Sequence, residues 1–262
     1  VYECLEYAYS DWAIAQLAEE FGDDDRAEYL EDRSKAYRHY YDPDIGFLRP
    51  RYSDGSWYEP FYPESYQGSW KNVGFVEGNS WQYTFFVPHD IDGLRQIMGG
   101  DFAFTAKLQR CFDENNFTID NEPDINYPYL FTYIPGESWR TQHILRRLMD
   151  LEFGTGPGGL PGNDDAGTIS AWYIFSAMGF YPVCPGKTTY QLGSPVFDEI
   201  TIHLNQNYWS GDKFVIGAEN NSPENVYIRK MRLNGTDYQT PEIDHNDLVQ
   251  GGELVFEMSA IY

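Results

Sequence analysis

Two adjacent carboxylates, Asp164 and Asp165, stand in Gly162-Asn163-Asp164-Asp165-Ala166-Gly167-Thr168-Ile169-Ser170, directly before the apolar run Ala171 to Met178. A helix start leaves backbone N–H groups free and carries partial positive charge, so it holds acidic side chains ionised. A lone Asp there is ordinarily an N-cap. Two Asp beside Asn163, bracketed by glycines, also suit a metal ion or a general base. A third carboxylate, Glu77, opens the aromatic segment Glu77-Gly78-Asn79-Ser80-Trp81-Gln82-Tyr83. Its ordinary role would be an exposed or capping Glu. Placed beside Trp81 and Tyr83 it is expected to be partly desolvated, which favours its protonated form and makes it a candidate general acid. Asp120-Asn121-Glu122-Pro123-Asp124 gathers oxygen ligands of the kind Ca²⁺ takes, without the periodicity of an EF-hand. A solvated acidic turn is the ordinary alternative.

The elements around these residues change character along the chain. Leu5 to Phe21 repeats apolar residues at helical spacing and stops at Gly22, and Asp23-Asp24-Asp25 opens a second helical pattern running to Tyr41. Asp42 to Trp70 reads as a long loop with a turn at Asp54-Gly55. Helical patterns return at Asp90 to Met98, Asp101 to Phe112, Tyr127 to Ile134 and Glu137 to Phe153. After Gly179, the segments Thr189 to Leu192, Glu199 to Leu204, Lys213 to Gly217, Val226 to Leu233 and Glu253 to Met258 read as strands. The order predicts an α+β chain, mainly helical over 1–182, closed by an antiparallel β unit over 183–262.

Composition narrows the function. Eighteen Lys and Arg against 41 Asp and Glu give a formal charge of −23, which repels nucleic acid and anionic membrane surfaces and favours divalent cations or neutral ligands. No stretch is apolar enough for a transmembrane helix. The opening Val1-Tyr2-Glu3-Cys4-Leu5 already lies in a helical pattern without an initiator Met, so the native protein is expected to extend upstream. Three scattered cysteines, Cys4, Cys111 and Cys184, do not define a disulfide scaffold or a compartment. Asn116-Phe117-Thr118, Asn220-Asn221-Ser222 and Asn234-Gly235-Thr236 fit the N-glycosylation pattern, which matters only in a eukaryotic secretory cell.

Taken together, Val76 to Tyr83, Asn121-Glu122-Pro123, Gly162 to Gly167, Ser170-Ala171-Trp172-Tyr173 and Gly179-Phe180-Tyr181-Pro182-Val183 resemble glycoside hydrolase family 92 in order and spacing. The resemblance implies a calcium-dependent, inverting exo-α-mannosidase whose (α/α)₆ toroid follows an N-terminal β-sandwich, with this chain as the later part of the toroid. It makes Glu77 the general acid and Asp165 the leading general base, with Asn163 at a second catalytic position that is often Asp in relatives. Asn121, Glu122 and Asp165 are the implied metal residues, and Trp81, Gln82, Asp164 and Trp139 the candidate substrate contacts. Inverting hydrolysis needs a protonated and an ionised carboxyl roughly 6.5–9.5 Å apart with water between them. A cation gripping the sugar's O2 and O3 would help twist the ring toward the transition state.

Two departures bear on specificity and completeness. Asp124-Ile125-Asn126 stands where many relatives have Ser-His-His, which leaves α-1,2, α-1,3, α-1,6 and mannose-phosphodiester linkages open. The sandwich and early toroid helices are missing from this chain, so a partner domain or second chain is expected to complete the pocket. The alternative is a glycan-binding or scaffolding fragment without turnover. The resemblance also implies a secreted, periplasmic or cell-surface location.

Overall fold

The computed structural model describes residues 1–66 and 73–262. Trp70, the end of the long loop expected from sequence, lies outside them. The chain divides into two compact units, Val1–Asp124 and Ile125–Tyr262. That division falls upstream of the point near residue 182 where helices give way to strands.

In the first unit, α1 (Tyr2–Glu20) and α2 (Asp24–Arg33) form the expected hairpin. Leu5, Ala8, Trp12 and Ala15 recur on the buried face of α1, while Tyr7, Ile14, Leu17 and Phe21 are exposed. The second helical pattern does not stay α-helical to Tyr41. It tightens into a 3₁₀ segment, Ser34–Tyr40, where the Ser34 hydroxyl donates to Glu31 O at 2.7 Å and the buried Tyr37 is tied to Asp90 at 2.7 Å.

A short antiparallel pair follows, β1 (Tyr41–Asp42) with β2 (Phe47–Leu48), so Phe47-Leu48 pairs backward rather than across Asp54-Gly55. The Asp54-Gly55 turn joins Arg51 and Trp57, which form an isolated antiparallel bridge. Then come α3 (Ser80–Thr84), α4 (Ile91–Ile97) and α5 (Asp101–Asp113). Phe85 and Phe104 meet edge to face at 5.2 Å in the core beneath them.

In the second unit, Tyr127–Tyr133 is a buried 3₁₀ segment with Pro128 in its first turn, where an α-helix was expected. It leads into α6 (Ser138–Leu151), and α7 (Thr168–Met178) follows the acidic turn. α7 is less fully enclosed than its composition suggests, for Trp172 is buried but Ile174 is 57% exposed. Gly179 closes α7 at φ 94°, a left-handed position, and a Cβ there would meet Pro195 at 3.0 Å.

The strands are β3 (Phe180–Tyr181), β4 (Thr189–Leu192), β5 (Glu199–His203), β6 (Lys213–Glu219), β7 (Tyr227–Leu233), β8 (Thr236–Tyr238), β9 (Glu242–Asp244) and β10 (Gly252–Ser259), with a short α8 (His245–Val249). They form a three-stranded sheet, β3-β4-β9, and a five-stranded sheet, β5-β6-β10-β7-β8. Every pair is antiparallel except β10 with β6, which is parallel. Alternate residues of β6 and β10 point inward, which buries Phe214, Ile216, Leu254, Phe256 and Met258 in one core. The expected α+β order is therefore present, with an antiparallel-rich sheet at the C-terminal end.

Candidate active site

The first unit positions Glu77 by its backbone. Glu77 sits at φ 53°, a left-handed conformation uncommon for a residue with a side chain. Its carbonyl oxygen accepts from the Tyr66 hydroxyl at 2.9 Å and from Asn121 Nδ2 at 2.8 Å. One residue earlier, Val76 O accepts from the Tyr83 hydroxyl at 2.6 Å. A Cβ at Gly78 would lie 2.9 Å from Gln82 Oε1 and 3.1 Å from the Tyr83 ring, so a side chain there would push on the capping glutamine. These contacts over-determine the turn and hold its strained backbone.

Asn79 then starts α3 with a capping box: its side chain accepts from Trp81 N at 2.9 Å and Gln82 N at 3.3 Å, and Gln82 Oε1 accepts from Asn79 N at 3.0 Å. Gln82, a candidate substrate contact, is thus buried and used as a cap. Trp81 is 5% exposed and packs edge to face on Phe47 at 4.7 Å. Glu77 itself is exposed. The desolvation expected from Trp81 and Tyr83 is not seen in this unit, because the rings turn inward while the turn carries Glu77 outward.

The acidic stretch splits into two environments. Asn121 and Glu122 are half-buried, with Asn121 Oδ1 accepting from Glu122 N at 3.1 Å. The Thr118 hydroxyl donates to Asp120. Asp124 is wholly buried: Oδ2 accepts from Thr118 N at 3.0 Å, Oδ1 has no partner among the described residues, and burial pushes its carboxyl well above the usual range. It therefore does not share an open face with the other oxygens.

Asn121 Oδ1 and the Glu122 carboxylate are hard oxygen donors and fit Ca²⁺ in kind. Among the described residues no three His, Cys, Asp or Glu side chains converge as a metal cluster. The remaining ligands of such an ion would be water, backbone carbonyls or other segments.

The second unit holds the Asp pair. Asp164 is a tether: its carboxylate accepts from Ser170 N and from the Ser170 hydroxyl, both at 2.7 Å, and its carbonyl from Thr168 N at 2.7 Å. The Ser170 hydroxyl, then its backbone N–H, hold this carboxyl below the usual range. The ordinary capping role thus falls to Asp164, across six positions rather than the usual two or three.

Asp165 is exposed and lies in a left-handed turn, with φ 43° there, 60° at Ala166 and 94° at Gly167. Its carbonyl accepts from the Thr168 hydroxyl at 2.8 Å. Its carboxylate takes no hydrogen bond from the described residues, and Asn163 beside it is exposed. Trp139 is half-buried and stacked on Tyr262 at 4.2 Å and 10°. Trp172 is a core residue, its Nε1 donating to Ile125 O at 2.7 Å.

Sequence reasoning missed Tyr66, Asn79 and Ser170. Each acts on the backbone or side chain of a residue it did identify. Only the Asn79-to-Gln82 capping spacing was a readable signal.

An inverting mannosidase of family GH92 from Bacteroides thetaiotaomicron superposes with a TM-score of 0.89 at 36% identity, over 98% of this chain and 37% of that one. An alpha-mannosidase of the same family and bacterium, in complex with mannoimidazole, gives 0.90 at 34% identity, over 98% of this chain and 35% of that one. A protein of Arthroderma benhamiae described as an uncharacterized secreted glycosidase is 28% identical over 272 residues, covering 95% of this chain and 34% of that protein. The profile of the glycosyl hydrolase family 92 catalytic domain matches residues 1–260, and the chain belongs to that family. It spans about a third of the length of these relatives.

Proposed function

We propose that the protein containing this chain is an exo-acting α-mannosidase that removes terminal mannose from glycans by single displacement, assisted by calcium. Glu77 protonates the leaving oxygen, and Asp165, with Asn163 beside it, activates the attacking water. The observation that carries this reading is the turn at Glu77: an exposed carboxylate on strained backbone, gripped by Tyr66 and Asn121. The exposed Asp165 carboxylate, without a partner among the described residues and on a second left-handed turn, supports it. Strain of this kind persists where a side chain must be aimed.

Asn121, Glu122 and Asp165 would hold the calcium, which supplies charge at the sugar hydroxyls when bound. Asp164, fastened to Ser170, orients the turn that carries Asp165. Trp81, Gln82 and Trp139 serve the substrate through the shape of the walls they support. The natural partner is a mannose-containing glycan, and an N-terminal β-sandwich or another chain completes the pocket. Among the described residues no helix is long and apolar enough to cross a membrane, and the location proposed is secreted, periplasmic or cell-surface, following the fungal relative's description.

The test is mannose release from an α-mannoside with calcium and then with a chelator, the anomer being followed by NMR. Calcium-dependent appearance of β-mannose is the expected result. Release of α-mannose would refute single displacement, and release indifferent to chelation would refute the role of calcium.

A further inference from the structure

A cavity lies wholly within Ile125–Tyr262. It is open, about 910 Å³ in volume, and bounded by α6, α7, the segments before β5 and β7, the first residue of β7 and the residue after β10; none of Glu77, Asn121, Glu122, Asn163 or Asp165 lines it. One wall is aromatic. The Tyr227 ring stacks on His143 at 6.3 Å and 10°, and its hydroxyl lies 3.3 Å from His143 Nδ1.

The polar side is organised by Arg146, whose guanidinium donates to Pro195 O, to Asn221 Oδ1 at 3.1 Å and to Ser222 O at 2.7 Å. All three acceptors are neutral, and Arg146 has no ion-pair partner among the described residues. Asn221 in turn donates to Val196 O at 3.1 Å and Asp198 Oδ1 at 3.3 Å, and the Ser222 hydroxyl donates to Glu224 at 2.9 Å. The lining is therefore fastened in place by the protein itself, which lowers the ordering cost of binding.

Charge selects the ligand. Arg146, Arg147 and His143 share the cavity with Asp150, Asp198 and Glu224. An anion would meet the carboxylates and a cation the guanidiniums, whereas a neutral polyhydroxylated molecule can give and accept hydrogen bonds at both. The Tyr227, His143 and Tyr173 rings in the lining add apolar surface against which sugar C–H bonds can pack. The volume lies in the range of small-molecule sites and exceeds what one hexose fills. We propose that this cavity is a second carbohydrate-binding site, taking a neutral oligosaccharide and holding a glycan on the protein without cleaving it.

The choice of a mannose oligosaccharide as probe rests on the proposed function; the ligand class does not. Hydrogen–deuterium exchange of the intact protein is measured with linear α-mannotriose and, separately, with inorganic phosphate. Mannotriose is expected to protect the segments containing His143 to Asp150 and Asn221 to Tyr227, and phosphate to leave them unchanged. The double variant His143→Ala/Arg147→Ala, at exposed positions on α6, should weaken that protection about tenfold in Kd with Tm and mannose release unchanged. Glu224→Gln provides a second reading if the double variant is destabilised, with the same loss expected.

Absent protection of these segments, protection by phosphate alone, or protection that survives both variants overturns the proposal. Cavity protection without any mannose release would refute the hydrolase reading alone. Mannose release with an unprotected cavity would refute this inference alone.

Discussion

Asn121 Nδ2 donates to the carbonyl oxygen of Glu77 at 2.8 Å, across 44 positions of sequence. The bond joins the oxygen-rich loop to the carboxylate-bearing turn within one compact unit. It gives Asn121 a mechanical duty besides any toward a cation: its nitrogen holds the turn, while its oxygen, which accepts from Glu122 N at 3.1 Å, keeps a second lone pair for a ligand. Asp at this position could do the second and not the first.

Asn121→Asp is accordingly expected to lower kcat on an α-mannoside about tenfold to a hundredfold, the loss of one hydrogen bond to a strained carbonyl. Calcium titration of the same variant supplies the contrast. Were Asn121 only a metal ligand, the added charge would keep or tighten calcium binding and leave kcat near that of the parent.

Glu77→Gln should reduce cleavage of a mannobiose about 10²- to 10⁴-fold, as expected for loss of a general acid, and reduce cleavage of an aryl mannoside with a good leaving group far less. Equal losses on both substrates would argue against proton donation. Glu77→Gly relieves the left-handed strain at φ 53°. It should raise stability by about 1 kcal/mol, read as a higher Tm, in a protein without turnover.

Asp164→Ala removes both acceptors of Ser170 and frees the turn carrying Asp165. Turnover should fall while Asp165 remains in place, and Ser170→Ala, which spares the backbone N–H, should fall less. The folded-state carboxyl of Asp164 is held below its usual range, chiefly by the Ser170 hydroxyl. Its stabilisation is present above about pH 4 and is lost as pH falls through the lower folded value. Acid-unfolding curves of parent and Asp164→Ala should therefore converge at low pH.

Asp90 is a stability anchor remote from this chemistry in sequence. It accepts from the Tyr37 hydroxyl at 2.7 Å, Arg38 at 3.2 Å and Gly93 N at 2.9 Å, which caps α4. Burial raises its carboxyl, but the Tyr37, Gly93 and Arg38 bonds outweigh it and leave the group below the usual range. Asp90→Ala should cost about 1–3 kcal/mol at neutral pH by denaturant unfolding. The difference should shrink as pH drops through the folded value, since the native carboxylate then loses its charge.

Local order was legible in the residues themselves. The periodicity of α1, the alternation of β6 and β10 and the glycines closing turns are repeats of one side-chain pattern over a few neighbours, so the α+β order and the two acidic turns could be located without coordinates. Even the capping role of one Asp was readable, though not which one. What needed the tertiary structure was every relationship between distant segments. Asn121 reaching Glu77, Ser34 and Tyr37 tightening a helix into 3₁₀, Trp81 turning inward on Phe47, Asp124 buried beside the exposed Asp120 and half-buried Glu122, and β10 lying parallel to β6 are all decided by which segments pack together. Sequence determines which side chains can donate, accept or fill space. Whether a given carboxylate faces solvent or core depends on how its turn is held, locally as Ser170 holds Asp164 or across 44 positions as Asn121 holds Glu77.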